Sequence, residues 1–212
     1  DVNGTFINSV VLSHQYKISN GAWNTVDFNW QLVGPTSLID PPDMNEDIII
    51  AGSLGEREAN VPYTASVSYR IENFITVSGR PQQIFVMSLN RTNFNMTNSI
   101  LTPSSSSSNY DHCEFAVSED SFTNSSGFSI GVAFEHTSAS NGGTCGVQIG
   151  GQSYSLGYQN TNDMRTSFVM TYDYNLTLQS HIEVDGSHED NTLPYFSQNG
   201  GMAWSEMTST SG

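Results

Sequence analysis

The stretch Gly127–Gly131, "GFSIG", has the Gly-x-Ser-x-Gly spacing of a nucleophile elbow. That chemistry needs a strand-to-helix turn that lifts the serine above an α/β sheet. Ser129 instead sits in an alternating apolar and polar run with no helical period after it, so the stretch reads as plain strand. The five histidines, His14, His112, His136, His181 and His188, are scattered, with no His-x-His and no His-Glu-x-x-His spacing. Zinc wants four converging ligands, and a strand would direct the neighbours His112 and Cys113 to opposite faces. The chain is therefore expected to be a non-enzyme without a catalytic group or a transition-metal cofactor.

Two acidic loops have calcium chemistry. "DPPDMNED" offers Asp40, Asp43, Asn45 and Asp47, and "EVDGSHED" offers Glu183, Asp185, Glu189 and Asp190. Calcium takes six to eight oxygens from loops of this composition. Neither matches an EF-hand, and solvated acidic loops are common, so calcium is the one metal the sequence leaves open. Cys113 and Cys145 are the only cysteines. They allow one disulfide in an exporting compartment, or two buried thiols, and the sequence does not choose. Asn-x-Ser/Thr sequons stand at Asn3, Asn90, Asn95, Asn124 and Asn175. A chain this rich in Asn, Ser and Thr holds about 4–5 by chance, so glycans are permitted and not required.

The elements that would position these residues are strands. Period-2 alternation runs from "GTFINSVVLSHQYKIS" through "AWNTVDFNWQLV", where Val26, Phe28, Trp30 and Leu32 share one face, to "RTSFVMTYDYNLTLQSHIEV". Asn20-Gly21 and Gly150-Gly151 are tight-turn signals, the second being the better hairpin signal. Residues 90–111, with Pro103 and five consecutive serines, read as a long loop. The expected fold is all-β, an antiparallel β-sandwich of jelly-roll or immunoglobulin-like type. A single domain over 1–212 is favoured, with two tandem immunoglobulin-like domains, 1–103 and 109–212, as the alternative.

Twenty-one acids against six basic residues give a net charge of −15, and Lys17 is the only lysine. Such a chain repels phosphate backbones, which argues against nucleic acid as a partner. No run of 18 apolar residues is present, so no membrane-spanning segment is expected. Charged residues are only 13%, and Ser, Thr and Asn carry the solubility instead. The opening at Asp1 fits a processed or trimmed chain, and the expected location is extracellular or at the cell surface.

The opening segment places Val2, Phe6, Val10 and Leu12 on one face, with Ile7 and Val11 on the other. Such a strand pairs within its own sheet or is lent to a neighbour. An opening strand, an all-β body, few lysines and abundant Ser, Thr and Asn resemble the extracellular filament subunits that assemble by donor-strand exchange, such as chaperone–usher pilins and archaeal thread-type proteins. The likeness lies in general traits, and no functional residue is carried over from it. It implies a structural subunit of a surface filament, with copies of itself as partners and residues 2–12 as the assembly strand. The alternatives are a carbohydrate- or protein-binding sandwich, in which Trp23, Trp30 or Trp204 stacks on sugars, and a viral capsid or spike jelly roll.

Overall fold

The computed structural model describes residues 9–25, 30–34, 47–54, 66–78, 83–102, 113–136, 144–157, 164–184, 195–196 and 202–203. No helix occurs among them. In chain order the strands are β1 (His14–Ile18), β2 (Asn24–Thr25), β3 (Trp30–Gly34), β4 (Ile48–Leu54), β5 (Val67–Ile71), β6 (Ile75–Ser78), β7 (Gln83–Leu89) and β8 (Met96–Thr102). The second half adds β9 (Cys113–Asn124), β10 (Gly127–His136), β11 (Thr144–Ile149), β12 (Gln152–Gly157), β13 (Met164–Tyr172), β14 (Leu178–Val184), β15 (Tyr195–Phe196) and β16 (Met202–Ala203).

Three antiparallel four-stranded sheets result. Their orders are β2-β1-β5-β6, β3-β4-β7-β8 and β14-β13-β10-β9, with β11-β12 and β15-β16 as separate hairpins. The sandwich expected from the period-2 pattern is thus present, and it has a third layer. The β3-β4-β7-β8 sheet lies in the middle. Its Ile49, Ala51, Ile84 and Val86 join Phe128, Ile130, Phe168 and Met170 of the third sheet in one core. Its Ile50, Leu54, Phe85, Met87 and Leu89 join Val67, Tyr69 and Ile71 of the first sheet in a second core. A strand buried on both faces needs an unbroken apolar run, which is what "IIIAG" and "IFVM" supply. Each fully buried Ile or Phe contributes about 1.5–3 kcal/mol over its exposed state. The first core draws on residues from Val33 to Leu176, so both halves of the chain build it.

Turn chemistry closes the hairpins. Gly150 and Gly151 take φ of 56° and 82° between β11 and β12, and a two-residue loop of this kind needs positive φ at both positions. The Asn20-Gly21 signal also marks a real turn: Gly21 N–H donates to the Ile18 carbonyl at 2.8 Å, with the positive φ on Ser19. Between β5 and β6, Phe74 N–H donates to the Ile71 carbonyl, and Asn73 has φ 68°. That is the second central position of a type II turn, which Asn tolerates. The alternation of "SYRIENFITV" runs straight through this turn and hides it.

Two expectations need correction. Leu32 does not face a core: it is 51% exposed, while Val33 is fully buried. Pairing passes from Leu32↔Ile50 to Gly34↔Ile49, so Val33 is an extra residue in β3 and its side chain turns inward. Leu32 stands on the terminal strand of its sheet. Residues 90–111 are not one loop, because Met96–Thr102 forms β8 beside β7. Its polar residues fit an edge strand, with Ile100 and Leu101 half-buried on opposite faces. Residues 9–13 join no ladder among the described residues, where the first strand begins at His14, and residues 2–8 of the expected opening strand lie outside the described residues.

Candidate functional site

The N-terminal segment is placed by β1. Leu12, His14 and Tyr16 point toward the second core while Gln15 and Lys17 point away, and the alternation continues back to Val10 without a slip. Val10 and Leu12 are half-buried against that core, whereas Val11 between them is 78% exposed. His14 is buried with its ring 6.0 Å from that of Tyr69. The partner strand β5 ends at Ile71, opposite His14, and turns away at Glu72–Phe74. Just past the ladder, Glu72 N–H donates to the Ser13 carbonyl at 2.9 Å. Residues 9–12 thus overrun their sheet: Val10 and Leu12 find a core, and the segment joins no strand ladder among the described residues. Val2, Phe6 and Asn3 lie outside the described residues.

The outward face of the same sheet holds a polar network around Trp23. The Arg70 guanidinium lies 4.1 Å from the Trp23 ring centroid and Lys17 Nζ lies 4.9 Å from it. Arg70 Nε donates to Gln15 Oε1 at 2.8 Å, and Arg70 pairs with Glu72 at 3.4 Å. Cations over the indole are favourable by about 0.5–1 kcal/mol each at such half-exposed positions. They also occupy ring surface that a sugar would use, which speaks against Trp23 as a stacking platform. Trp30 opens β3, its side chain is outside the described residues, and so is Trp204.

A third feature is the end of the stack where turns from two sheets meet. The Asn90–Asn95 turn joins β7 to β8, Asn124–Ser126 lies at the β9–β10 connection, and Asp173–Thr177 joins β13 to β14. Asn90 Oδ1 accepts from the N–H groups of Thr92 and Asn93, and Asn124 Oδ1 from those of Ser126 and Gly127. Asp173 Oδ1 accepts from Asn175 N–H at 2.9 Å and Thr177 N–H at 2.8 Å. Two bonds join the turns across space: Tyr174 hydroxyl to the Asn124 carbonyl, 2.7 Å, and Asn98 Nδ2 to the Asn175 carbonyl, 2.8 Å. Four of the five sequons therefore share one end of the molecule. Asp47, from the first acidic loop, is committed here as an acceptor for the hydroxyls of Ser88 and Thr97. Asp40, Asp43, Asp185 and Asp190 lie outside the described residues, and Glu183 is exposed on β14.

The β11–β12 hairpin lays Tyr154 on the third sheet, with its ring 4.8 Å from Phe168. The Tyr154 hydroxyl is 2.7 Å from both His181 Nε2 and Gln152 Oε1. Burial, and then the negative Glu183, push the Tyr154 hydroxyl above its usual value. No spacing signal marks this cluster, because Tyr154 and His181 are 27 residues apart.

The residues singled out for chemistry are dispersed. Ser129 lies mid-strand in β10, its hydroxyl 2.8 Å from Thr171 Oγ1. Cys113 and Cys145 open β9 and stand second in β11, with their side chains outside the described residues. Among the described residues no three His, Cys, Asp or Glu side chains group as metal ligands, and no helix is long and apolar enough to cross a membrane. Set beside known proteins, the chain matches no family model, no curated protein and no solved structure.

Proposed function

We propose that the protein is a structural subunit of an extracellular or surface filament, built by lending the N-terminal segment, about residues 2–12, to a neighbouring copy. The observation that supports this reading is the overrun of residues 9–12. Alternate apolar side chains, Val10 and Leu12, occupy the second core, yet the segment belongs to no ladder among the described residues. A segment that joins no ladder among the described residues exchanges between copies at low cost, because the identical contacts form in cis or in trans. In a head-to-tail arrangement the exchange does not close, and a polymer grows. The acceptor surface in each subunit is the part of the second core that Val10 and Leu12 cover in the single chain.

The experiment compares three chains by light scattering and negative-stain electron microscopy: the full chain, a chain beginning at Ser13, and the Val10→Asp/Leu12→Asp variant. Concentration-dependent polymers from the full chain alone support the reading. A full chain that stays monomeric across a hundredfold concentration range overturns it. Polymers formed equally by all three would place assembly elsewhere and also overturn it.

A further inference from the structure

The Asp173–Thr177 turn contains one residue in a costly conformation. Leu176 has φ 63°, a left-handed backbone that a non-glycine residue adopts at a cost of about 1–2 kcal/mol. Its side chain is 2% exposed, in the first core. Leu176 is also the middle residue of the sequon Asn175-Leu176-Thr177. With Leu176 plugged inward, its two neighbours project outward, and both are exposed. The backbone around them is fixed. Asn175 N–H and Thr177 N–H are held by the Asp173 carboxylate, Asn98 holds the Asn175 carbonyl, and Asp173 N–H donates to the Thr177 carbonyl at 3.1 Å. No hydrogen bond engages the Asn175 side-chain amide among the described residues. Beside it, Tyr174 is 44% exposed, and its hydroxyl is anchored on Asn124, the next sequon across the surface. The Tyr174 ring is braced against Phe128, 6.2 Å away.

From this arrangement we infer that Asn175 is an N-glycan attachment site whose first sugar lies on the Tyr174 ring, covering the end of the stack shared with Asn124. The sequons at Asn90 and Asn95 present differently. The Asn90 amide oxygen caps its own turn, and the Thr97 hydroxyl of the Asn95 sequon is engaged by Asp47 and Ser88. In the attachment step the Asn175 Nδ2 attacks C1 of an oligosaccharide carried on a lipid pyrophosphate. The Nδ2–C1 bond forms as the C1–O bond to phosphate breaks. The pyrophosphate leaves with the electron pair, and one amide proton passes to a base of the transferase. An amphipathic aromatic ring beside the asparagine offers an apolar face to the sugar's C–H groups and a fixed position at little entropic cost. The inference rests on the export part of the proposed function and is independent of filament formation.

The test uses the protein purified from its own source, with the cell exterior and interior fractionated separately. Peptide mapping before and after enzymatic glycan release is expected to show a glycan on the Asn175 peptide, and conversion of Asn175 to aspartate on release. A bare Asn175 overturns the inference. If the protein with bare Asn175 comes from the exterior fraction, only the site fails; if from the interior, the export reading fails with it. The ring's role is read from Tyr174→Ser in two backgrounds, the glycosylated chain and Thr177→Ala, which removes the sequon but keeps Asn175. The expected Tm loss is larger in the glycosylated background by about 2–4 °C. Equal losses in both overturn the contact between sugar and ring.

Discussion

Ile84 and Phe85 are consecutive residues of β7, both fully buried, and they belong to different cores. Ile84 packs toward the third sheet and Phe85 toward the first, because β7 is a central strand of the middle layer. Each substitution to alanine therefore empties a separate cavity. Ile84→Ala is expected to cost about 2–5 kcal/mol and Phe85→Ala about 3–5 kcal/mol. The double variant should lose nearly the sum, since the two side chains leave β7 on opposite faces and pack into different cores. Urea unfolding of the four chains checks this, and Ile182→Ala, at a 58% exposed site on β14, serves as the control within about 0.5 kcal/mol. A strongly sub-additive double variant would mean that the two cores are one.

The strands themselves were largely legible. Alternation marked the half-buried ones, and Gly150-Gly151 announced its hairpin because only glycine adopts that loop without cost. The third layer was not legible. "IIIAG" signals burial on both faces, but nothing local says which sheets supply the covers. Positions decided by pairing also escaped: the extra residue at Val33 moves Leu32 out of its expected face, and β8 hides among polar residues because an edge strand needs few apolar ones. The Tyr154–His181 contact and the gathering of turns around Tyr174 come from topology, which no spacing encodes.

Leu176 sets two effects against each other. Glycine at this position would relieve a left-handed backbone, a gain of about 1–2 kcal/mol. It would also remove a leucine side chain that is 2% exposed, a loss of about 2–5 kcal/mol. Burial outweighs the relief at the middle of these ranges, so Leu176→Gly should destabilise by about 2 kcal/mol, within a span of about 0–4 kcal/mol. Leu176→Asn tolerates the backbone but buries an amide, and should cost at least as much. Thermal and urea unfolding measure both. A glycine variant more stable than the parent would contradict the side chain's role in the first core.

Arg70 does three things at once: it covers the Trp23 ring, donates to Gln15 and pairs with Glu72. Lysine keeps the charge but loses the planar fork and the Nε–H donor. Arg70→Lys should therefore destabilise by about 0.5–1.5 kcal/mol, although the exchange conserves charge. A double-mutant cycle of Arg70→Ala with Trp23→Ala should return a coupling of about 0.5–1 kcal/mol. Zero coupling would reduce the stacking to proximity. The Arg70–Glu72 pair is partly open to water, and raising salt should change little.

Tyr154 gives the stability a pH dependence of known sign. Burial first, and the negative Glu183 second, raise its pKa above the ordinary tyrosine value of 10.0. The folded chain therefore keeps the proton at a pH where the unfolded chain has begun to lose it. Stability from this residue is fully present below pH 10 and is lost as pH climbs from there through the raised folded value. Tyr154→Phe removes both the titration and the hydroxyl's contacts with His181 and Gln152. Near pH 8 the variant should be less stable than the parent by about 1 kcal/mol, the worth of a hydrogen-bonded hydroxyl. Above pH 10 the gap should narrow, because only the parent pays for holding this proton. The remaining tyrosines titrate alike in both chains and cancel in the difference. Urea midpoints of parent and variant from pH 8 to 11 measure it. A gap that stays constant across that range would mean Tyr154 ionises as freely in the folded chain as in the unfolded one.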